Sequence, residues 1–477
     1  MTQMPSQQET SVDQNSTTNN NTTNNTTTNN TKKMNLVLGS MAARPKNRIR
    51  VFVERILRNA PKEGEVNEKT GVPYPKRMDL SLGDPTALGL SPPQEAKDAV
   101  VEAIQGEALT TKQVHGYQHS CGSPAFREAI TREIRPALGE NAVFVTSGCS
   151  QALQFALTAL AKDGSNVLVP NPAFPLYNTI CEFVNAEARP YKLLSDRGWQ
   201  SCLEDLEAKC DQDTCCLLVC NPGNPTSHSY SPDHIEELLR FAYRRGIPVV
   251  ADEVYAHMTY QVQVGGAGSS ADEENGGAGD GDFQYMAEIA HSRLGSQRPP
   301  VLSCSALSKR FLVPGWRTGW LALYDDAGES LEKAGLYTGI AALCQIGMTP
   351  TSLIQAAAPV VLEKTPESYH RKLNLTMKKG AEYCLERCNR CPGLQCLSVP
   401  KGAMYLFFQV PTSNKEVADA MDSDDVKWCR ELLEQQNVFT LPGVLFGSPG
   451  FVRIVSAAPM SVLEEAWNRI EDFCKGN

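Results

Sequence analysis

No run of eighteen uninterrupted apolar residues occurs in the 477-residue chain, so no membrane-spanning helix is expected. An excess of positive charge is missing too. Lys and Arg number 45 against 54 Asp and Glu, a net charge of -9, which argues against a general nucleic-acid binder. The N-terminal stretch has neither an apolar leader segment nor the arginines of a mitochondrial presequence. A cytoplasmic protein is therefore expected, with a mitochondrial one left open. Histidine is scarce, and none stands beside the irregularly spaced Cys384, Cys388, Cys391 and Cys396, so no metal site is expected there. Cysteine itself is plentiful, at sixteen. Without a secretory leader these read as reduced thiols, with Cys215 and Cys216 in an apolar run that belongs to a core.

The length exceeds one ordinary core and predicts two domains. An apolar content of 41% and a charged content of 21% suit a globular enzyme. Met1 to Thr31 is almost wholly Thr, Asn, Gln and Ser; it cannot bury enough apolar surface to order itself and reads as disordered. Val264 to Asp282, rich in Gly, Ala, Ser, Asp and Glu, reads as a solvated insertion with no chemistry of its own.

Between these segments the pattern alternates strand and helix. Strands are expected at Asn141 to Thr146, Asn166 to Pro170, from Glu187, at Cys215 to Cys220, at Ile247 to Ala251 and at Pro299 to Ser303. Helices are expected at Arg48 to Arg58, Pro124 to Arg135, Ala152 to Leu160, Ser201 to Cys210 and Pro232 to Arg245. Continuous apolar strands of this kind suit a parallel sheet covered on both faces. After Lys309 the chain turns mostly helical, with strands near Tyr405 and at Phe451 to Val455, as in a smaller α+β domain.

One stretch organises the chemistry. Ser303 to Trp320 places Lys309 after a run of small residues and Arg317 eight residues later, beyond a Pro-Gly turn. An imine-forming lysine needs an unprotonated amine, which desolvation and nearby cations favour. A planar guanidinium close behind it suits a phosphate. Together they point to pyridoxal 5′-phosphate, with Lys309 as the Schiff-base lysine.

Other stretches agree. Ser147-Gly148-Cys149-Ser150-Gln151 lies between a strand and an apolar helix, where free amides point at an anion. Asp252-Glu253-Val254-Tyr255 ends a strand, the usual place for a site in an open parallel sheet. Asp252 there can meet a protonated ring nitrogen, and Tyr255 a neighbouring ring oxygen. Phe174 follows another strand and suits either a planar ring or the core. Gly83, in Gly83-Asp84-Pro85-Thr86, allows close approach to the backbone. Arg453 stands inside an apolar strand and needs a partner; a substrate carboxylate and an acidic side chain both qualify.

These motifs, in this order and joined by Asn224-Pro225 and Pro314-Gly315-Trp316-Arg317, resemble the fold-type I, class I aminotransferases, and within them the tyrosine aminotransferase branch. The likeness runs from about Ser40 to Lys475. It implies an α/β fold, with a mostly parallel seven-stranded sheet between helices plus a smaller α+β domain. The implied division is a tail over 1–33, an arm over 34–46 and a small domain over 47–84 and 346–477. A large cofactor domain would span 85–345, interrupted by the flexible insertion at 264–283.

Implied roles follow residue by residue. Lys309 binds the cofactor and moves the substrate proton, Asp252 keeps the ring nitrogen protonated, and Asn224 and Tyr255 bond its ring oxygen. Phe174 stacks on the ring. Ser147, Gly148, Cys149, Ser308 and Arg317 hold the phosphate, joined by Tyr117 from the second subunit of a homodimer. Arg453 grips the substrate carboxylate, with Gly83 and Asn224 beside it. The implied reaction moves the amino group of aromatic amino acids, chiefly L-tyrosine, to a 2-oxo acid: 2-oxoglutarate, pyruvate or oxaloacetate. A broad alanine/aromatic aminotransferase or a carbon–sulfur lyase on the same fold are the alternatives. Two departures stand out. Ala306 replaces a serine that often binds phosphate, so Ser308 or another donor must compensate. Thr226-Ser227 replaces Thr-Gly, a change expected to alter only the turn.

Overall fold

Eight strands form the main sheet of the computed structural model, which describes residues 39–46, 48–58, 60–67, 71–105, 114–136, 138–262, 283–348, 350–413 and 420–476. The expected disordered tail over 1–33 and the insertion at 264–282 lie outside the described residues. In chain order the strands are β1 (Val143–Thr146), β2 (Asn166–Asn171), β3 (Glu187–Leu194), β4 (Gln200–Ser201), β5 (Thr214–Cys220), β6 (Val249–Asp252), β7 (Val301–Ala306) and β8 (Gly319–Tyr324). Their spatial order is β1-β8-β7-β6-β5-β2-β3-β4. Strands β7, β6, β5, β2 and β3 run parallel. Strand β8 is antiparallel to both β1 and β7, and β4 is antiparallel to β3. The expected seven strands are thus joined by an eighth, the two-residue edge strand β4. It is too short to show as an alternating run in sequence.

Both faces of this sheet are buried, and the pleat explains how. Leu168, Leu217, Val219, Val249, Ala251 and Val301 point into one core with the helices α2 (Gln94–Gln105), α3 (Pro124–Glu133), α6 (Pro232–Arg245) and α8 (Ser352–Lys364). Their neighbours Val167, Val169, Cys216, Leu218, Val250 and Leu302 point into another, with α4 (Cys149–Leu160), α5 (Leu176–Val184) and α7 (Leu336–Gly347). Alternate residues therefore serve opposite faces. Cys216 is fully buried, as the sequence suggests, whereas Cys215 is only half-buried.

A three-stranded antiparallel sheet follows, ordered β9-β11-β10, from β9 (Tyr405–Gln409), β10 (Leu441–Pro442) and β11 (Phe451–Val455). It packs on α9 (Glu367–Arg390), α10 (Asp424–Gln436) and α11 (Met460–Gly476) through Leu406, Phe408, Ile454, Trp467 and Phe473. The N-terminal residues Met78 and Asp79 pair in parallel with Val438 and Phe439. Helix α1 (Arg48–Leu57) buries Phe52 against Phe439, Leu441 and Phe446. The helical run expected after Lys309 is interrupted at Gly335, whose φ of 75° is left-handed and breaks the α-helical path. No helix among the described residues is long and apolar enough to cross a membrane.

One glycine joins the sheet to the loop that follows β1. A Cβ on Gly319 would lie 2.5 Å from the Ser305 carbonyl oxygen, 2.8 Å from the Gly148 carbonyl carbon and 2.9 Å from Ala306 Cβ. Two of those three neighbours are backbone and cannot rotate away. Gly319→Ala is expected to destabilise the protein by about 2 kcal/mol, a typical overpacking cost. Chemical denaturation measures this; an unchanged midpoint would show that the strands separate without strain.

Candidate functional site

Carboxyl ends of parallel strands carry most of the polar side chains that face one cleft. Strand β6 delivers Asp252, β5 leads to Asn224, β7 leads to Ser308 and Lys309, and β1 leads into the first turn of α4. The small sheet adds Tyr405 from β9 and Arg453 from β11. Distinct from a second groove of about 690 Å³, the cleft has a volume of about 610 Å³. It is lined by Gly83, Cys149, Phe174, Asn224, Asp252, Tyr255, Ser308, Lys309, Arg317 and Arg453.

 The separate 690 Å³ groove lies beside Tyr230, Tyr260 and Lys401 and holds none of these ten residues.

Asp252 sits at the floor, 4% exposed. Burial pushes its carboxyl above the usual range, partly offset by two donors. Tyr177 donates its hydroxyl to Oδ2 at 2.6 Å, and Cys149 its thiol to Oδ1 at 3.4 Å. Tyr177 belongs to α5, a helix absent from the sequence reading, so its role was missed. The Phe-Pro-Leu-Tyr order after β2 was the available signal, since a helix starting there turns the tyrosine inward. Lys309 donates from Nζ to the Gly83 carbonyl. Gly83 leaves no room for a side chain, because a Cβ there would collide with the Tyr405 hydroxyl.

Arg453 is buried, and burial lowers its pKa. Its Nη1 donates to Asn224 Oδ1 at 2.9 Å and its Nη2 to the Ser81 carbonyl. The guanidinium lies 4.3 Å from the Tyr405 ring centre and 4.7 Å from that of Phe446. Nε has no partner. Among the described residues no carboxylate pairs with this cation, so an acidic side chain is not what holds it. Tyr255 and Tyr405 share a hydroxyl hydrogen bond of 2.7 Å beside it.

At the other end Gly148 caps α4 with φ 80° and supplies no side-chain cap, which leaves first-turn amides for a ligand. Arg317 adopts a left-handed φ of 49° and donates from Nη2 to the Ser147 carbonyl at 2.9 Å. Ser147 and Gly148 lie behind this arginine and not on the cleft wall. The Ser147 amide is already taken by Gln151 Oε1 at 2.7 Å. Ala306 is buried in β7, paired with Gly319, whereas Ser150 lines the cleft beside Cys149 and offers a hydroxyl that the sequence reading did not assign. Tyr117 does not reach this cleft; it is 93% exposed.

Ser227 does more than alter a turn, contrary to expectation. It holds a left-handed φ of 51°, fully buried. Its carbonyl accepts from the Lys401 and Gly402 amides, and its Oγ accepts from the Tyr405 amide at 3.1 Å. A glycine would hold the turn but lose that last bond, which ties the turn after β5 to the strand carrying Tyr405.

The donor set fits a phosphorylated pyridine aldehyde. An amine, a buried carboxyl, an aromatic wall at Phe174 and a helix N-terminus with an arginine stand in one cleft, in that chemical sequence.

Comparison with known proteins agrees with this arrangement. The family model "Aminotransferase class I and II" matches residues 75–470. Tyrosine aminotransferase of Mus musculus is 32% identical over 401 residues, covering 83% of this chain and 81% of its own. Among solved structures, alanine aminotransferase from Pyrococcus furiosus superposes with a TM-score of 0.76 at 27% identity, covering 92% of this chain and 100% of its own. Tyrosine aminotransferase from Leishmania infantum gives 0.73 at 26% identity, covering 91% and 98%.

Glu253, next to Asp252, turns to the opposite face of the sheet. It accepts from Ser303 Oγ and from the Met286 amide, and burial pushes its pKa up to about 7 from 4.5. A carboxyl raised on folding stabilises the protein below its unfolded pKa and loses that contribution as pH rises towards the folded one. Relative to Glu253→Gln, the native protein should therefore lose about 3 kcal/mol of stability between pH 4.5 and 7, at ~1.4 kcal/mol per pKa unit. Denaturant titrations of both proteins across that range test this; parallel pH curves would refute it.

Proposed function

The chain belongs to the class I and II aminotransferases, and from that premise we propose that it transfers the amino group of aromatic amino acids, chiefly L-tyrosine, to a 2-oxo acid, using pyridoxal 5′-phosphate. One observation carries the reading: Lys309, buried Asp252 and a buried Arg453 without a carboxylate partner face the same cleft. The aromatic preference rests on the names of the relatives.

Pyridoxal 5′-phosphate supplies the carbonyl that takes up an amino group and a protonated ring that accepts electron density. The chain's residues then divide the work. Arg453 binds the substrate α-carboxylate, its unpartnered Nε and its two neutral acceptors leaving the positive charge unspent. Lys309 Nζ takes the proton from the substrate α-carbon and would deliver it to cofactor C4′, the shift that amino transfer requires. Asp252 holds the proton of the ring nitrogen, and Tyr177 and Cys149 fix the orientation of its carboxylate. Asn224 and Tyr255 donate to the ring oxygen, and Phe174 covers the ring face. Arg317, Ser308, Cys149 and Ser150 hold the phosphate, with Ser147 and Gly148 shaping the turn beneath them. In a homodimer Tyr117, exposed in its own chain, serves the neighbouring site. We assign residues 85–345, with α8 packed in the same core, to holding the cofactor, and 47–84 with the rest of 346–477 to closing over the substrate.

Lys309→Ala is expected to lower turnover at least ~10³-fold while leaving the fold intact, because the proton carrier at the reacting carbon is gone. Rapid-mixing absorbance with L-tyrosine follows the half-reaction, and transfer near the native rate would remove Lys309 from the mechanism. Arg453→Ala should raise KM for amino acid and oxo acid alike, by roughly 10- to 100-fold, since one carboxylate site serves both. Steady-state kinetics with each substrate varied in turn would contradict this if only one KM moved.

A further inference from the structure

The cysteines that do not face the cleft include one pair placed by helix packing. Helices α9 and α11 run side by side in the same direction. A Cβ on Gly380 of α9 would meet Leu463 of α11 at 3.3 Å. Further along, Arg387 donates from Nη2 to Asn468 Oδ1 at 2.8 Å and pairs through Nε with Glu471. Cys391 follows Arg387 by four residues and Cys474 follows Glu471 by three, the spacings that keep a helix face. The next rung is therefore thiol against thiol. Cys391 lies within hydrogen-bonding reach of Cys474, which lowers its pKa and raises that of Cys474; Lys475 and Arg387 also lower it, against burial and Glu471.

The pair borders the surface, with Cys391 itself 3% exposed. A surface cavity of about 340 Å³ is lined by Cys391 together with Arg387, Arg390, Glu471 and Lys475. Cys474 itself is half-buried. A thiol with a lowered pKa, cations around it and a second thiol within hydrogen-bonding reach has the parts of a dithiol that exchanges with small disulfides.

We propose that Cys391 and Cys474 form a reversible redox pair, closed by a small anionic disulfide such as oxidised glutathione, with Cys391 attacking and Cys474 resolving. The Cys391 thiolate attacks one sulfur of the reagent, whose S–S bond breaks and releases one thiolate. The Cys474 thiolate then attacks the Cys391 sulfur and releases the second. The two protein thiols give up two protons and two electrons, and the reagent is reduced to two thiols. The new bond joins the C-terminal ends of α9 and α11, away from the cleft.

The test uses the full chain, incubated with oxidised glutathione and then digested for peptide mass spectrometry. The native protein should yield a peptide linking Cys391 to Cys474, which dithiothreitol removes. Cys474→Ser should stop at a glutathione adduct on Cys391, and Cys391→Ser should give neither linkage nor an adduct on Cys474. Closure should raise the melting temperature by a few degrees, because a cross-link restricts the unfolded chain. The proposal fails if the linked peptide does not form. It fails equally if Cys474→Ser takes its adduct on another cysteine, or if Cys391→Ser reacts at Cys474 as the native protein does.

Discussion

Burial of Asp252 at the carboxyl end of β6 is the constraint on which the site depends. An ionised carboxyl so deep is costly unless donors surround it. Tyr177 from α5 and Cys149 from α4 supply two such donors, so two helices on one face of the sheet are committed to one side chain. The same helices form the walls of the cleft: α4 offers its N-terminus and α5 carries the edge next to Phe174. Fold and site are thus coupled through one buried charge.

Arg453 poses the matching problem with the opposite sign. Its cation is held by an amide oxygen, a carbonyl and two aromatic faces, none of which neutralises it. That arrangement costs stability and leaves a charge for a substrate carboxylate to satisfy. Strain nearby is of the same kind. Arg317 and Ser227 hold left-handed backbone that their side chains do not favour, and each makes a bond that ties two elements together.

Redox chemistry at α9 and α11 would be separate from this. The ladder from Gly380 to Cys391 belongs to the core beneath the small sheet, and its effect on the cleft would pass through the stability of that core rather than through any group that touches substrate.

Much of the architecture is legible in the chain itself, because buried parallel strands are continuous apolar runs and their helices carry clear starts and stops. Pro232–Arg245, for example, begins at Ser231 and ends at Gly246. The motif residues Lys309, Asp252 and Arg317 are legible for the same reason: each lies at a strand end or a turn, where a polar residue among apolar neighbours has to be explained. Strand β4 and helix α5 are not, since two residues carry no periodicity and the apolar start of α5 reads equally well as loop. Nor could the sequence tell the partners of Arg453 from one another, assign Ser150 to the cleft wall, or show that Ser227 reaches Tyr405. Those depend on which distant segments the packing brings within about 3 Å, a matter of tertiary geometry alone.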